Sequence, residues 1–157
     1  MTAFMEYKLD RTSLERHEFY IKDNDGFRIL NQDDILQILR EADEIVTWGH
    51  PLFQIKNLFD EELFEDEDPA EKFFDLKREI FRQTQLELSL SRSVYATLAL
   101  PALRTTNAVA KAQSNLTILQ LLFAFLERNG FIYALHKDQK IKVEIDLDQI
   151  RLENRDV

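Results

Sequence analysis

The 157 residues are the size of one domain, and a hydrophobic content of 45% with 12 Phe, 4 Tyr and 1 Trp is enough for a packed core rather than a disordered tail. There is no cysteine, which removes disulfides, thiolate nucleophiles and Cys-ligated zinc, and only three glycines, which leaves almost no scope for a phosphate-cradling loop. A net charge of −9 argues against a polyanion partner for the molecule taken whole.

Residues 1–30 read as an extended or hairpin segment. HEFYIK and FRIL flank Asp23-Asn24-Asp25-Gly26, a favourable turn sequence. The same DNDG invites a calcium-loop reading, but Ile21 and Gln32 fall where two of the ligating carboxylates are needed, so the turn is preferred. Asn31 can cap a helix with Asp33 and Asp34 in its first turn. Ile35, Ile38, Leu39, Ala42, Ile45 and Val46 then keep helical spacing to about Thr47, and Gly49 and Pro51 stop it. Leu52, Ile55, Leu58, Phe59 and Leu63 fit a shorter helical segment, and the acidic run after it reads as a solvated linker or helix end.

Asp68-Pro69-Ala70-Glu71 has the form of a helix cap with proline in the first helical position. The helix it opens carries Phe73, Leu76, Ile80 and Phe81, and nothing breaks it before Pro101. A further helix is expected from Ala102 to about Gln113, and another from Leu116 to Arg128, capped by Ser114 or Asn115 and apolar on nearly every face. Asn129-Gly130 ends it. FIYALH, a KDQK turn and IKVEIDL complete a hairpin, with Ile141, Val143, Ile145 and Leu147 on one face. The expected fold is mainly α: a single domain over 1–157, with a helical bundle at 31–130 and short β-hairpins near the N- and C-termini, in 1–30 and in a hairpin and tail at 131–157.

The first twenty residues lack a signal-peptide apolar run, and Leu116–Leu126 is too short to span a bilayer, so a soluble, cytoplasmic protein is expected, without membrane contact. His17, His50 and His136 lie on separate elements and form no zinc spacing. His50 beside Trp48 in TWGHP could be a site, but a helix-terminal turn packed on the core is the plainer reading. No nucleophile elbow, P-loop or dinucleotide fingerprint is present, so no enzymatic activity, cofactor or metal is expected.

Charge distribution is the informative feature. Residues 1–87 hold 22 acids against 11 bases, and Asp60–Glu71 alone has eight acids and no base. From Leu88 to Leu126 there is no acid in 39 positions, but Arg92, Arg104 and Lys111 remain. Core packing explains the missing acids in Leu116–Leu126, because burying charge is costly. It explains less well why the exposed positions of 91–115 are Arg, Lys, Thr, Asn and Gln. On a helix beginning near Pro101, Arg104, Asn107 and Lys111 share one stripe, which Arg92 extends, and such a row can follow a phosphate backbone. The alternative is a protein–protein adaptor or regulator that meets a basic partner through the acidic 60–71 segment.

RSVYATLALPALRTTNAVAKAQSNLTILQLLFAFLERNG, Arg92 to Gly130, resembles the helical small subunits of multi-subunit CRISPR interference complexes: a helix, a Leu-Pro junction and an apolar helix ending in Asn-Gly. The resemblance includes no diagnostic motif. It implies a helical bundle and a non-catalytic subunit packed against protein partners, several copies of itself among them, that holds displaced or target single-stranded DNA. Arg92, Arg104 and Lys111 are the positions it implies for that role.

Overall fold

In the computed structural model the described residues are 1–10, 16–49, 51, 54–56 and 69–155. They form two compact units, Met1–Asp75 and Leu76–Val157. Neither is the expected helical bundle. The N-terminal unit is a five-stranded mixed sheet with a helix, and the C-terminal unit combines helices with a two-stranded sheet, an α/β architecture.

In the N-terminal unit β1 (Thr2–Asp10), β2 (Arg16–Asp23) and β3 (Gly26–Leu30) make an antiparallel meander. The β2–β3 turn is the one expected: Asp25 N donates to Asp23 Oδ1 at 2.8 Å, and Gly26 takes φ +99°. Arg28 pairs with the Asp23 carboxylate at 2.7 Å, so the group the calcium reading needed serves the hairpin instead. Helix α1 (Gln32–Glu41) starts where expected, with Asn31 and Asp34 closing a reciprocal capping box. It ends earlier, at Ala42, and Lys72 donates to the carbonyls of Leu39 and Arg40 in its last turn.

The stretch expected to continue that helix is strand β4 (Glu44–Thr47), parallel to β1 through Ala3↔Ile45 and Met5↔Thr47. Ile45 and Val46 fit a 3.6 period by coincidence; both are β-branched and both are buried, on opposite faces of a strand. Phe73–Asp75, expected to be helical, is strand β5, parallel to β4 and preceded by a 3-10 turn at Pro69–Lys72. The Asp68 cap lies outside the described residues. Strand order is β3-β2-β1-β4-β5, with β2 alone running against the others. One face packs Ala3, Met5, Phe19, Ile21, Ile45 and Phe73 against Ile35, Ile38 and Leu39 of α1. Phe4, Tyr20, Val46 and Phe74 on the other face are buried too.

The C-terminal unit begins with α2 (Leu76–Thr84) and α3 (Leu90–Leu98), expected as one continuous helix. The break is local: Gln85 adopts φ +60°, Thr84 Oγ1 accepts from Leu86 N, and Ser89 caps α3 through Arg92 N. Residues 99–107 form neither helix nor strand. Helix α4 (Ala108–Asn129) fuses the two expected helices, so Ser114 and Asn115 lie inside it rather than capping it. Ala112, Leu116, Leu119, Leu122, Phe123 and Leu126 form its buried row. This helix is long and apolar enough to cross a bilayer, with a mean hydropathy of 1.3 over its best window.

Gly130, at φ +76°, ends α4 and leads into the hairpin of β6 (Phe131–His136) and β7 (Gln139–Glu144). Lys137 and Asp138 form a two-residue turn with positive φ at both positions, the arrangement that matches strand twist. Ile132, Ala134 and Val143 are buried from one face. The Thr97 hydroxyl of α3 accepts from Tyr133 N at 2.9 Å and donates to Tyr133 O at 3.1 Å, occupying the β6 edge away from β7. The expected tail is helix α5 (Leu147–Arg155), capped by Asp146 Oδ1 accepting from Gln149 N.

Candidate nucleic-acid interface

The acid-free interval surrounds the junction between α3 and α4. Every residue from Ala99 to Val109 is exposed. Ala99 closes α3 in the left-handed conformation, and Pro101, lacking an N–H, holds Leu100 away from helical geometry. The helix therefore starts at Ala108, six residues after the expected position. Asn107 caps it, its Oδ1 accepting from Ala110 N at 3.0 Å, while Thr105 Oγ1 accepts from Asn107 N at 3.1 Å.

This changes the geometry expected for the site. Arg104 is exposed but lies on the non-helical segment before α4, so it shares no helical stripe with Lys111. Asn107 turns its side-chain oxygen into the helix and has only its amide N–H groups to offer a ligand. Lys111 folds back, its ammonium donating to the Leu103 carbonyl at 2.8 Å, which leaves two N–H groups for another partner. These three positions cluster at the start of α4. Arg92 is exposed in the first turn of α3, a separate helix. Arg92, Arg104 and Lys111 have no carboxylate partner among the described residues.

Two features were not expected. Tyr95, Leu100, Leu103 and Val109 are large apolar side chains left exposed in and beside the same junction. On the hairpin, Lys140 sits 4.1 Å from the Tyr133 ring centre and Lys142 4.4 Å from that of Phe131, placing cations beside aromatic rings on its outward face. The alternation of FIYALH and KIKVE could have revealed that face, since Phe131, Tyr133, Lys140 and Lys142 share one side of the pleat.

The boundary between the units is also an electrostatic one. Met1–Asp75 holds eight bases against 20 acids, a balance of −12, whereas Leu76–Val157 holds 12 bases against nine acids, a balance of +3. The acids of the C-terminal unit concentrate away from 88–126: Glu127, Glu144, Asp146 and Asp148 line a cavity of about 650 Å³ with Arg151.

The remaining sequence candidates sit elsewhere. Trp48 lines a cleft with Met5, Glu6, Tyr7, Gly49 and Pro51; His50 lies outside the described residues. Of the Asp60–Glu71 run only Ala70 and Glu71 have described side chains, and Glu71 is exposed. Among the described residues no three His, Asp or Glu side chains converge as a metal site. No family model, curated protein or solved structure matches the chain.

Proposed function

We propose that this chain is a non-catalytic subunit of a nucleoprotein assembly, whose C-terminal unit retains single-stranded nucleic acid along the α3–α4 junction. This is the role implied by the likeness to CRISPR small subunits, now without the helical bundle that the likeness also implied. The observation that carries the reading is an exposed, carboxylate-free junction bearing Arg104, with Lys111 in the first turn of α4 and Arg92 in the first turn of α3, in the unit with the basic excess. Tyr95, exposed one turn after Arg92 on α3, adds a ring on which a base can stack.

Three cations neutralise few phosphates, so one copy binds weakly. The logarithm of the binding constant should fall with the logarithm of salt at a slope of about 2 at most. Useful retention needs several copies in a row. The test is fluorescence anisotropy of labelled single-stranded DNA across a salt series, repeated with Arg104→Glu and Lys111→Glu together, folding being checked by circular dichroism. The double variant should lose at least about tenfold in affinity and flatten the salt dependence. An unchanged slope in the folded variant would remove the assignment.

The exposure of Tyr95, Leu100, Leu103 and Val109 favours a second reading, an apolar contact with a protein partner through the same junction. Charge reversal at Arg104 and Lys111 leaves such a contact largely intact, whereas Leu100→Ser and Leu103→Ser abolish it. The acidic 60–71 contact expected for an adaptor lies mostly outside the described residues.

A further inference from the structure

The outward face of the β6–β7 hairpin lies outside the junction, and every residue of the hairpin is among the described ones. The pleat puts Phe131, Tyr133 and Leu135 on that face, half-buried, with Lys140 and Lys142 exposed across from them on β7. The rings form a continuous run. Phe125 of α4 meets Phe131 edge-on with centroids 5.6 Å apart, and Phe131 meets Tyr133 edge-on at 5.4 Å. Lys140 sits over the Tyr133 ring and Lys142 over that of Phe131. Both lysines are exposed, so the ring faces beneath their ammonium groups are the ones turned to solvent.

A cation beside an exposed ring is held more weakly than a base stacked on it. An arriving base therefore displaces the ammonium group, and the flexible lysine stem lets that group swing to a phosphate of the same strand. Lys140 has no carboxylate partner among the described residues. Lys142 lies 3.5 Å from Glu144, an exposed pair that a phosphate can exchange for. Asp138, in the turn, is the other acid of the hairpin. An acidic peptide would satisfy the ammonium groups and leave the rings bare, and an apolar partner would cover the rings and desolvate two charges. A nucleotide brings a flat ring and an anion together.

The face also adjoins the junction. Thr97 holds the backbone of Tyr133, and the exposed junction starts two residues later at Ala99, a length of chain that spans about 7 Å when stretched. We propose that the outward face of the β6–β7 hairpin is a stacking platform for the bases of single-stranded nucleic acid, with Phe131 and Tyr133 supporting bases and Lys140 and Lys142 meeting phosphates. The inference rests on the nucleic-acid reading of the C-terminal unit and adds a place for bases to the phosphate contacts of the junction. Each lysine that turns to a phosphate adds about 0.7 to the salt slope of about 2 set by the junction cations.

The test uses the full chain, a labelled oligothymidylate and an abasic strand of equal length and charge. Fluorescence anisotropy should give the thymidylate a Kd at least about tenfold lower. Phe131→Leu with Tyr133→Leu, checked for folding by circular dichroism, should weaken thymidylate binding about tenfold and leave abasic binding unchanged. Equal binding of the two strands would remove the platform and leave the junction reading standing, whereas no binding of either would remove both. Undiminished thymidylate binding by the folded variant would move the stacking to Tyr95. Polyglutamate displacing the thymidylate as well as unlabelled thymidylate does would assign the face to an acidic protein instead. Photo-cross-linking with a strand carrying 5-iodouracil needs no variant, because the rings fall in separate tryptic peptides, Asn129–Lys137 for Phe131 and Tyr133 and Ser93–Arg104 for Tyr95. The first peptide should carry the label; label on the second alone, or on neither, would overturn the proposal even if the double variant does not fold.

Discussion

The N-terminal unit buries a five-stranded sheet on both faces and carries its charge as a large acidic excess. The C-terminal unit combines one 22-residue helix, three shorter ones and a hairpin, and leaves eleven consecutive residues at the junction of α3 and α4 exposed, from Ala99 to Val109. The first concentrates the acids, and the second leaves basic and apolar side chains exposed beside one another. A net charge of −9 describes neither, because it sums a balance of −12 and one of +3. An acidic composition therefore says little about a particular face once the charge is segregated by unit.

The sharpest way to break this comparison is to damage one unit and watch the other. Phe123 is buried in the middle of α4, and Phe123→Ala should cost about 3–5 kcal/mol. Hydrogen exchange should then show lost protection in α4 and β6 while β1, β2 and β4 keep theirs. Equal loss in both would mean that the units fold as one cooperative block. A smaller effect tests what holds the hairpin: Thr97→Val leaves Tyr133 N–H and C=O without their partner and should cost about 1–3 kcal/mol, read as a lower denaturant midpoint. The smallest has the opposite sign. Thr47 is buried at the end of β4 with its hydroxyl unpartnered among the described residues, so Thr47→Val should raise stability by about 1 kcal/mol.

What could be read from sequence was whatever chemistry is local. The Asp23–Gly26 turn, the Asn31 cap, the Asn129-Gly130 stop and the C-terminal hairpin depend on neighbours a few residues away, and each stands where expected, except that β7 ends at Glu144 and Leu147 opens α5 instead of continuing the strand. The sheet depends on distant partners. Ile45-Val46 and Phe73-Phe74 become strands because β1 lies beside β4 and β4 beside β5, more than 40 positions from the first pairing to its source. Within the amphipathic pattern Ile35-Ile38-Leu39-Ala42-Ile45, nothing local marks where helix gives way to strand. The candidate site was legible in part: the acid-free stretch and its three cations are visible in sequence, but the helical stripe is not present, because residues 99–107 form no helix and Asn107 rather than Pro101 opens α4. Tyr95, Lys140 and Lys142 were missed because their relevance comes from exposure and from pairing across strands.

The lysines beside the hairpin rings have one more consequence. A two-stranded sheet has two outer edges, and Thr97 occupies that of β6. The other belongs to β7, where Gln83 Nε2 of α2 donates to the Glu144 carbonyl and Lys140 and Lys142 stand at alternate positions. A strand arriving there from another molecule would bring its own side chains against two ammonium groups, so the ring-bound lysines also act as gatekeepers against runaway strand addition. Neutralising them would weaken the hairpin slightly and expose the protein far more seriously to fibrous aggregation.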